Sequence, residues 1–161
     1  MTRWITTVGG VGLLRPAPGT WGSAAGLVAG ALIHMAGSFW LLFVATIAVS
    51  ALGFWAVRAE VGDSDQDPSE IVIDEVAGQW VALWPVSFGA WMTGAPITAL
   101  YPGLIVAFLA FRAFDILKPG PVGWADRQHG AFGIMADDLI AGWLAAMVVA
   151  LFAVFAHAVL M

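Results

Sequence analysis

Charges along this chain are confined to three short stretches, and long apolar runs separate them. No formally charged residue occurs in the 42 positions between Arg15 and Arg58, the 36 between Glu75 and Arg112, or the 23 after Asp138. A membrane-crossing helix takes roughly 20 apolar residues. The first two runs are therefore long enough for two crossings each, and the last for one. Each long run also breaks near its middle, at Gly37-Ser38 and at Thr93-Gly94-Ala95-Pro96, where Gly and Pro favour a turn over continued helix. The pattern predicts an all-α polytopic membrane bundle of about five helices, near residues 22–35, 39–57, 74–91, 97–116 and 137–160. The first is short and Pro85 interrupts the third, so one or two are expected to be short, broken or re-entrant.

Composition points the same way. Hydrophobic residues make up 61% of the chain and charged residues 11%, with a mean hydropathy of +0.90, far too little polar surface for a soluble domain. Nine Trp and ten Phe suit anchors at the lipid–water boundary. The 161 residues fit a single domain. The stretch from Met1 to Arg15 is too short and too broken by glycine for a signal peptide. The absence of cysteine excludes disulfides, thiolate metal sites and cysteine-nucleophile chemistry.

All 17 charged residues fall in the N-terminal segment, in 58–75 or in 112–138. With five crossings these segments share one face and the C-terminus lies on the other. Every Lys and Arg is on the charged face, which the positive-inside rule makes cytoplasmic. Two helices and a turn barely fit into 36 uncharged residues, so Asp74, Glu75, Arg112 and Asp115 are drawn to the membrane boundary. Ionisable groups there are usually paired, metal-bound or functional.

Four motifs carry candidate chemistry. In Arg15-Pro16-Ala17-Pro18-Gly19-Thr20-Trp21-Gly22-Ser23, Thr20 or Ser23 is placed to cap the following helix, whose first amides favour an anion; a plain capped loop is the simpler alternative. Asp74 and Glu75 open a helix. The helix dipole alone accounts for acids there, but two adjacent carboxylates at a membrane boundary repel each other, and a hard cation relieves that. Upstream, Asp63-Ser64-Asp65-Gln66-Asp67 lacks the full spacing of a calcium loop and reads as solvated, with a role left open only for Asp67. Arg112, Asp115 and Lys118 are spaced three apart before Pro119. They form either an intrahelical ion pair or a basic clamp on phosphate oxygens, with Asp115 as orienter or ligand. Asp137 and Asp138 form a second acidic doublet, read as opening a helix after a flexible glycine approach at Gly130 and Gly133. Two doublets and three basic residues on one face point to a metal–phosphate site. His34 and His157, near the uncharged face, read as interface or packing residues rather than ligands.

The sequence resembles the phosphatidylglycerophosphatase A family. The resemblance rests on Pro18-Gly19-Thr20-Trp21-Gly22-Ser23, Ile71-Val72-Ile73-Asp74-Glu75-Val76-Ala77-Gly78, Phe111-Arg112-Ala113-Phe114-Asp115-Ile116-Leu117-Lys118-Pro119, Trp124-Ala125-Asp126-Arg127 and Gly133-Ile134-Met135-Ala136-Asp137-Asp138-Leu139-Ile140-Ala141-Gly142, in the family's order. It implies a multi-pass enzyme of the bacterial inner membrane that hydrolyses phosphatidylglycerophosphate to phosphatidylglycerol and phosphate, with magnesium. Its partners would be that lipid and the bilayer, with no nucleic acid. The chain has Gly130-Ala131 where the family often has Gly-Gly, and His129 is Lys in some relatives, which argues against an obligatory acid–base role for His129.

The expected mechanism has Asp74, Glu75, Asp137 and Asp138 holding one or two magnesium ions, which bind a phosphate oxygen and activate a water. Arg112 and Lys118 neutralise phosphate charge, Thr20 and the loop amides assist, and Asp115 is the candidate nucleophile if an aspartyl-phosphate forms. The 58–75 stretch, with one basic and seven acidic residues, would repel an anionic lipid unless cations or solvent offset it. A cation transporter would carry its acids mid-helix, and a structural subunit would not need the clustering. A phosphotransferase using a nucleotide-activated alcohol would show an Asp-x-x-Asp-Gly-x-x-Ala-Arg signature, which is missing.

Overall fold

A computed structural model describes residues 1–62 and 68–160. Asp63, Asp65 and Asp67 therefore lie outside the described residues. The described chain is helical, in the order α1 (Thr2–Thr6), α2 (Pro18–Val61), α3 (Ile73–Thr93), α4 (Tyr101–Leu117), α5 (Pro121–Asp126) and α6 (Gly130–Leu160), with short 3₁₀ turns at Val11–Leu13 and Ile97–Leu100.

Helix α2 is two antiparallel arms. At Gly37 and Ser38 the backbone leaves helical geometry, with Ser38 at φ 64°. Along the first arm, Gly22 meets Val72, Gly26 meets Val76, and Gly30 meets Trp80 and Leu83, so that arm runs parallel to α3. Along the second, Phe39 packs on Phe88, Thr46 accepts a hydrogen bond from the Trp84 indole at 3.2 Å, and Gly53 faces Ile73, so this arm runs back. Each arm is roughly 30 Å long, enough for one crossing. The Gly37-Ser38 turn thus stands where the apolar pattern put it.

Among the described residues, three helical segments are long and apolar enough to cross a membrane, Pro18–Val61, Ile97–Leu117 and Gly130–Ala156. The first supplies both arms of α2. The 21-residue α3 threads between them, with most of its length buried. Large apolar side chains such as Leu32, Ile47, Leu109, Leu151 and Phe155 point outward, as the lipid-facing surface of a membrane protein requires.

Four boundaries differ from the sequence expectation. The first arm begins at Pro18, because proline's fixed φ and missing N–H suit a first helical position, so it is not a short helix. Helix α3 runs unbroken through Pro85: the lost backbone bond is tolerated in a helix packed on several sides. Helix α6 begins at Gly130, seven residues before Asp137, so the second doublet sits two turns inside the helix rather than opening it. Gly133 is part of that helix, not a flexible approach, since a Cβ there would strike the Gln128 carbonyl. The fourth difference is α5, a short helix within the second charged loop that the apolar pattern did not register.

Helices α3 and α6 cross in backbone contact. A Cβ on Gly78 would meet the Asp138 carbonyl and the Phe111 ring, and one on Gly142 would meet the Gly78 carbonyl. Each glycine lies four residues after an acid, in Asp74-Glu75-Val76-Ala77-Gly78 and Asp138-Leu139-Ile140-Ala141-Gly142. Small residues let membrane helices approach closely, and here that approach brings one turn of acids from each helix together.

Candidate functional site

The starts of α2, α3 and α6 and the end of α4 converge on one end of the bundle, around a cavity of about 230 Å³. The N-terminal segment is tied to the same end: Arg3 bonds Glu70 at 2.6 Å and Thr6 donates to Glu60 at 2.7 Å. The three charged segments thus share a face, while the turns at Gly37-Ser38 and Gly94 and the end of α6 lie at the other. His34 is at that far end, buried and bonded to Ser87 Oγ at 2.7 Å, as a packing residue would be.

Seven of the eight residues singled out from the sequence line the cavity: Asp74, Glu75, Arg112, Asp115, Lys118, Asp137 and Asp138. Thr20 does not. It sits in the first turn of α2, beyond Gly19, and the helix has no side-chain cap. Gly19 does line the cavity, and its missing Cβ leaves room for the Glu75 carboxylate. His129 is outside the lining.

The carboxylates divide into two groups. Asp74, Glu75 and Asp138 each offer an oxygen, and these oxygens lie within 4.8 Å of one another. Glu75 Oε2 is buried with no hydrogen-bond partner among the described side chains. Three hard oxygen donors, one of them unsatisfied, fit a divalent cation of the magnesium type. Asp137 is not one of this trio and accepts a bond from Lys118 Nζ at 3.0 Å. Convergence of one doublet and half of the other follows from the α3–α6 crossing, which aligns Asp74 with Asp138.

The basic side is equally ordered. Arg112 Nη1 bonds Asp115, one helical turn on, and the Ser23 hydroxyl at 3.2 Å. The Asp115 carboxyl also meets that of Asp138, so it is engaged on two sides. Lys118 ends α4 in a left-handed conformation, φ 46° and ψ 52°, and its ammonium bonds Asp126 of α5 as well as Asp137. Partial burial disfavours the ammonium, but the bonds and charges of the two aspartates outweigh it and hold the Lys118 pKa above the usual lysine range. Lys118 therefore stays cationic throughout neutral pH.

Counting lining residues, five carboxylates face two cations, a formal charge of −3. A phosphate ester cannot approach such a cavity favourably unless further positive charge joins it. Sequence reasoning missed Asp126, Ser23 as a partner of Arg112, and Ser69 as a lining residue. The repeated Asp-x-x-Ala-Gly ending of the two doublets was the available signal for the helix crossing.

A family profile described as phosphatidylglycerophosphatase A matches residues 4–153. The chain is 34% identical to a Haemophilus influenzae protein named phosphatidylglycerophosphatase A, covering 87% of this chain and 81% of the relative. It is 31% identical to an Escherichia coli protein of the same name, covering 85% and 74%. It is also 34% identical to a Bacteroides thetaiotaomicron protein named putative phosphatidylinositol-3-phosphatase, covering 83% and 81%. No solved structure matches the chain.

Proposed function

The chain belongs to the phosphatidylglycerophosphatase A family of membrane lipid phosphatases, and on that premise we propose that it hydrolyses phosphatidylglycerophosphate to phosphatidylglycerol and phosphate, with magnesium as cofactor. The observation that carries the magnesium part is the trio Asp74, Glu75 and Asp138, with its unsatisfied Glu75 oxygen, in a cavity of formal charge −3. Asp74, Glu75 and Asp138 would hold the cation, and Asp137, bonded to Lys118, would add its negative charge beside them. A bound magnesium would supply positive charge to the phosphate oxygens and make a water more acidic.

The chain's own residues do the rest. Arg112, braced by Asp115 and Ser23, presents its guanidinium already oriented, with little side-chain freedom left to lose on contact with phosphate. Its planar fork fits two phosphate oxygens. Lys118 adds a second, compact charge. The first-turn amides of α2, that of Thr20 among them, favour an anion at the cavity edge. Asp115, already bound to Arg112 and against Asp138, is better suited to orienting than to attack. Water is therefore the proposed nucleophile: its oxygen bonds phosphorus, the bond from phosphorus to the glycerol oxygen breaks, and of the water's two protons one passes to the departing glycerol oxygen and the other stays on the released hydrogen phosphate.

The site lies at one end of a helix bundle with outward apolar side chains, so a lipid head group reaches it without leaving the membrane surface. The one-sided Lys and Arg distribution supports a bacterial inner-membrane location with the site facing the cytoplasm. The test is a substrate panel with purified protein in mixed micelles. Phosphatidylglycerophosphate should be the preferred substrate, with phosphatidylglycerol recovered. Preference for phosphatidylinositol 3-phosphate, or no release from either lipid, would overturn the assignment.

A further inference from the structure

Helix α5 grips Lys118 at both ends. Its Gly123 packs so closely on the Lys118 carbonyl that a Cβ there would collide with it, and its Asp126 accepts a bond from the Lys118 ammonium. The same ammonium bonds Asp137 on its inner side at 3.0 Å. Side-chain exposure falls from 40% at Asp126 through 31% at Lys118 to 10% at Asp137, so the ammonium joins a more exposed carboxylate to a more buried one. Lys118 and Asp137 line the cavity, whereas Asp126 is outside its lining.

An incoming phosphate competes with Asp137 for the ammonium, because both are anions on the cavity side. Asp126 bonds the same ammonium from outside the cavity lining, where its bond is compatible with phosphate on the cavity side. We propose that Asp126 is a positioning residue that retains Lys118 at the mouth while substrate phosphate takes the place of Asp137, which then turns to the neighbouring acid cluster. An ammonium has three donors, enough to hold Asp126 and a phosphate oxygen together. The left-handed Lys118 backbone fixes where the side chain starts, and Asp126 fixes where it ends. This inference rests on the phosphatase reading of the same site.

The test is a double-mutant cycle on kcat/KM with Asp126→Asn and Lys118→Ala, together with inorganic phosphate binding followed by thermal shift in detergent. Asp126→Asn should cost about tenfold with Lys118 present and less than about twofold in the Lys118→Ala background, because coupled residues are not additive. Phosphate binding should weaken in the same pattern, and Asp126→Glu should recover part of both. Equal losses in the two backgrounds would make Asp126 a structural residue and overturn the proposal, as would wild-type values for Asp126→Asn. A wild-type protein that binds phosphate but hydrolyses no lipid would sink the phosphatase reading alone. The binding arm would then still decide the role of Asp126.

Discussion

Replacing Gly142 with alanine separates helix stability from site geometry. In a helix interior, alanine is favoured over glycine by about 1 kcal/mol, so local propensity predicts a firmer α6. The crossing predicts the opposite for function. A Cβ on Gly142 would lie 3.0 Å from the Gly78 carbonyl carbon and 3.1 Å from its Cα, with the carbonyl oxygen nearer still. Ordinary carbon contacts are about 3.5–4.0 Å, so the two backbones must part by about 1 Å. Asp138 lies four residues away, about 6 Å along the helix, too near for the shift to dissipate. The oxygens of Asp74, Glu75 and Asp138 converge within 4.8 Å, and a 1 Å opening is a large fraction of that. Misplacement on this scale costs roughly a hundredfold in rate. The assay is kcat/KM in mixed micelles alongside thermal unfolding in detergent, with Gly89→Ala as control, because its nearest neighbour would be Leu100 at an ordinary 3.9 Å. Gly142→Ala should insert and fold yet lose about two orders of magnitude in turnover, while Gly89→Ala keeps its activity. Near-wild-type turnover for Gly142→Ala would refute the idea that this crossing sets the acid cluster.

Asp74→Asn, Glu75→Gln and Asp138→Asn should each abolish measurable phosphate release from folded protein, whereas Asp137→Asn, outside the convergent trio, should leave a residue of activity; the four rates in one assay decide this. Arg112→Lys keeps the charge but loses the planar fork, and its kcat/KM should fall about a hundredfold, a loss of roughly 3 kcal/mol of stabilisation; unchanged turnover would return Arg112 to a structural pair with Asp115. Reporter fusions at residues 65 and 125 should lie on the cytoplasmic side and fusions at residue 94 and the C-terminus on the other; opposite sides for 65 and 125 would break the shared site.

Much of this architecture was legible because a membrane imposes simple rules. The uncharged runs mark the crossings, and Gly37-Ser38 and Thr93-Gly94-Ala95-Pro96 mark the far turns. The charged loops had to share a face, so Asp74, Glu75, Arg112, Asp115, Lys118, Asp137 and Asp138 could be grouped from the sequence alone. What pattern could not supply was rotation about each helix axis. It placed Asp137 and Asp138 together at a helix start, whereas the helix begins at Gly130 and the two side chains diverge, one to Lys118 and one to the trio. Thr20 looked like a cap because it precedes an apolar run, but Pro18 starts the helix earlier and carries Thr20 past the cavity. Asp126 was invisible as a partner because its role depends on α5 folding back over Lys118, a contact between polar loop residues that leaves no periodic trace.

The central claim is that Asp74, Glu75 and Asp138 hold a divalent cation that phosphate release requires. Its most direct test measures phosphate release from phosphatidylglycerophosphate by purified, chelator-treated protein during magnesium titration, for the wild type and for Glu75→Gln. The wild type should be inactive without metal and recover in a saturable manner, while Glu75→Gln should need far more magnesium or fail to recover. Undiminished release after chelation, or the same magnesium dependence in both proteins, would contradict it.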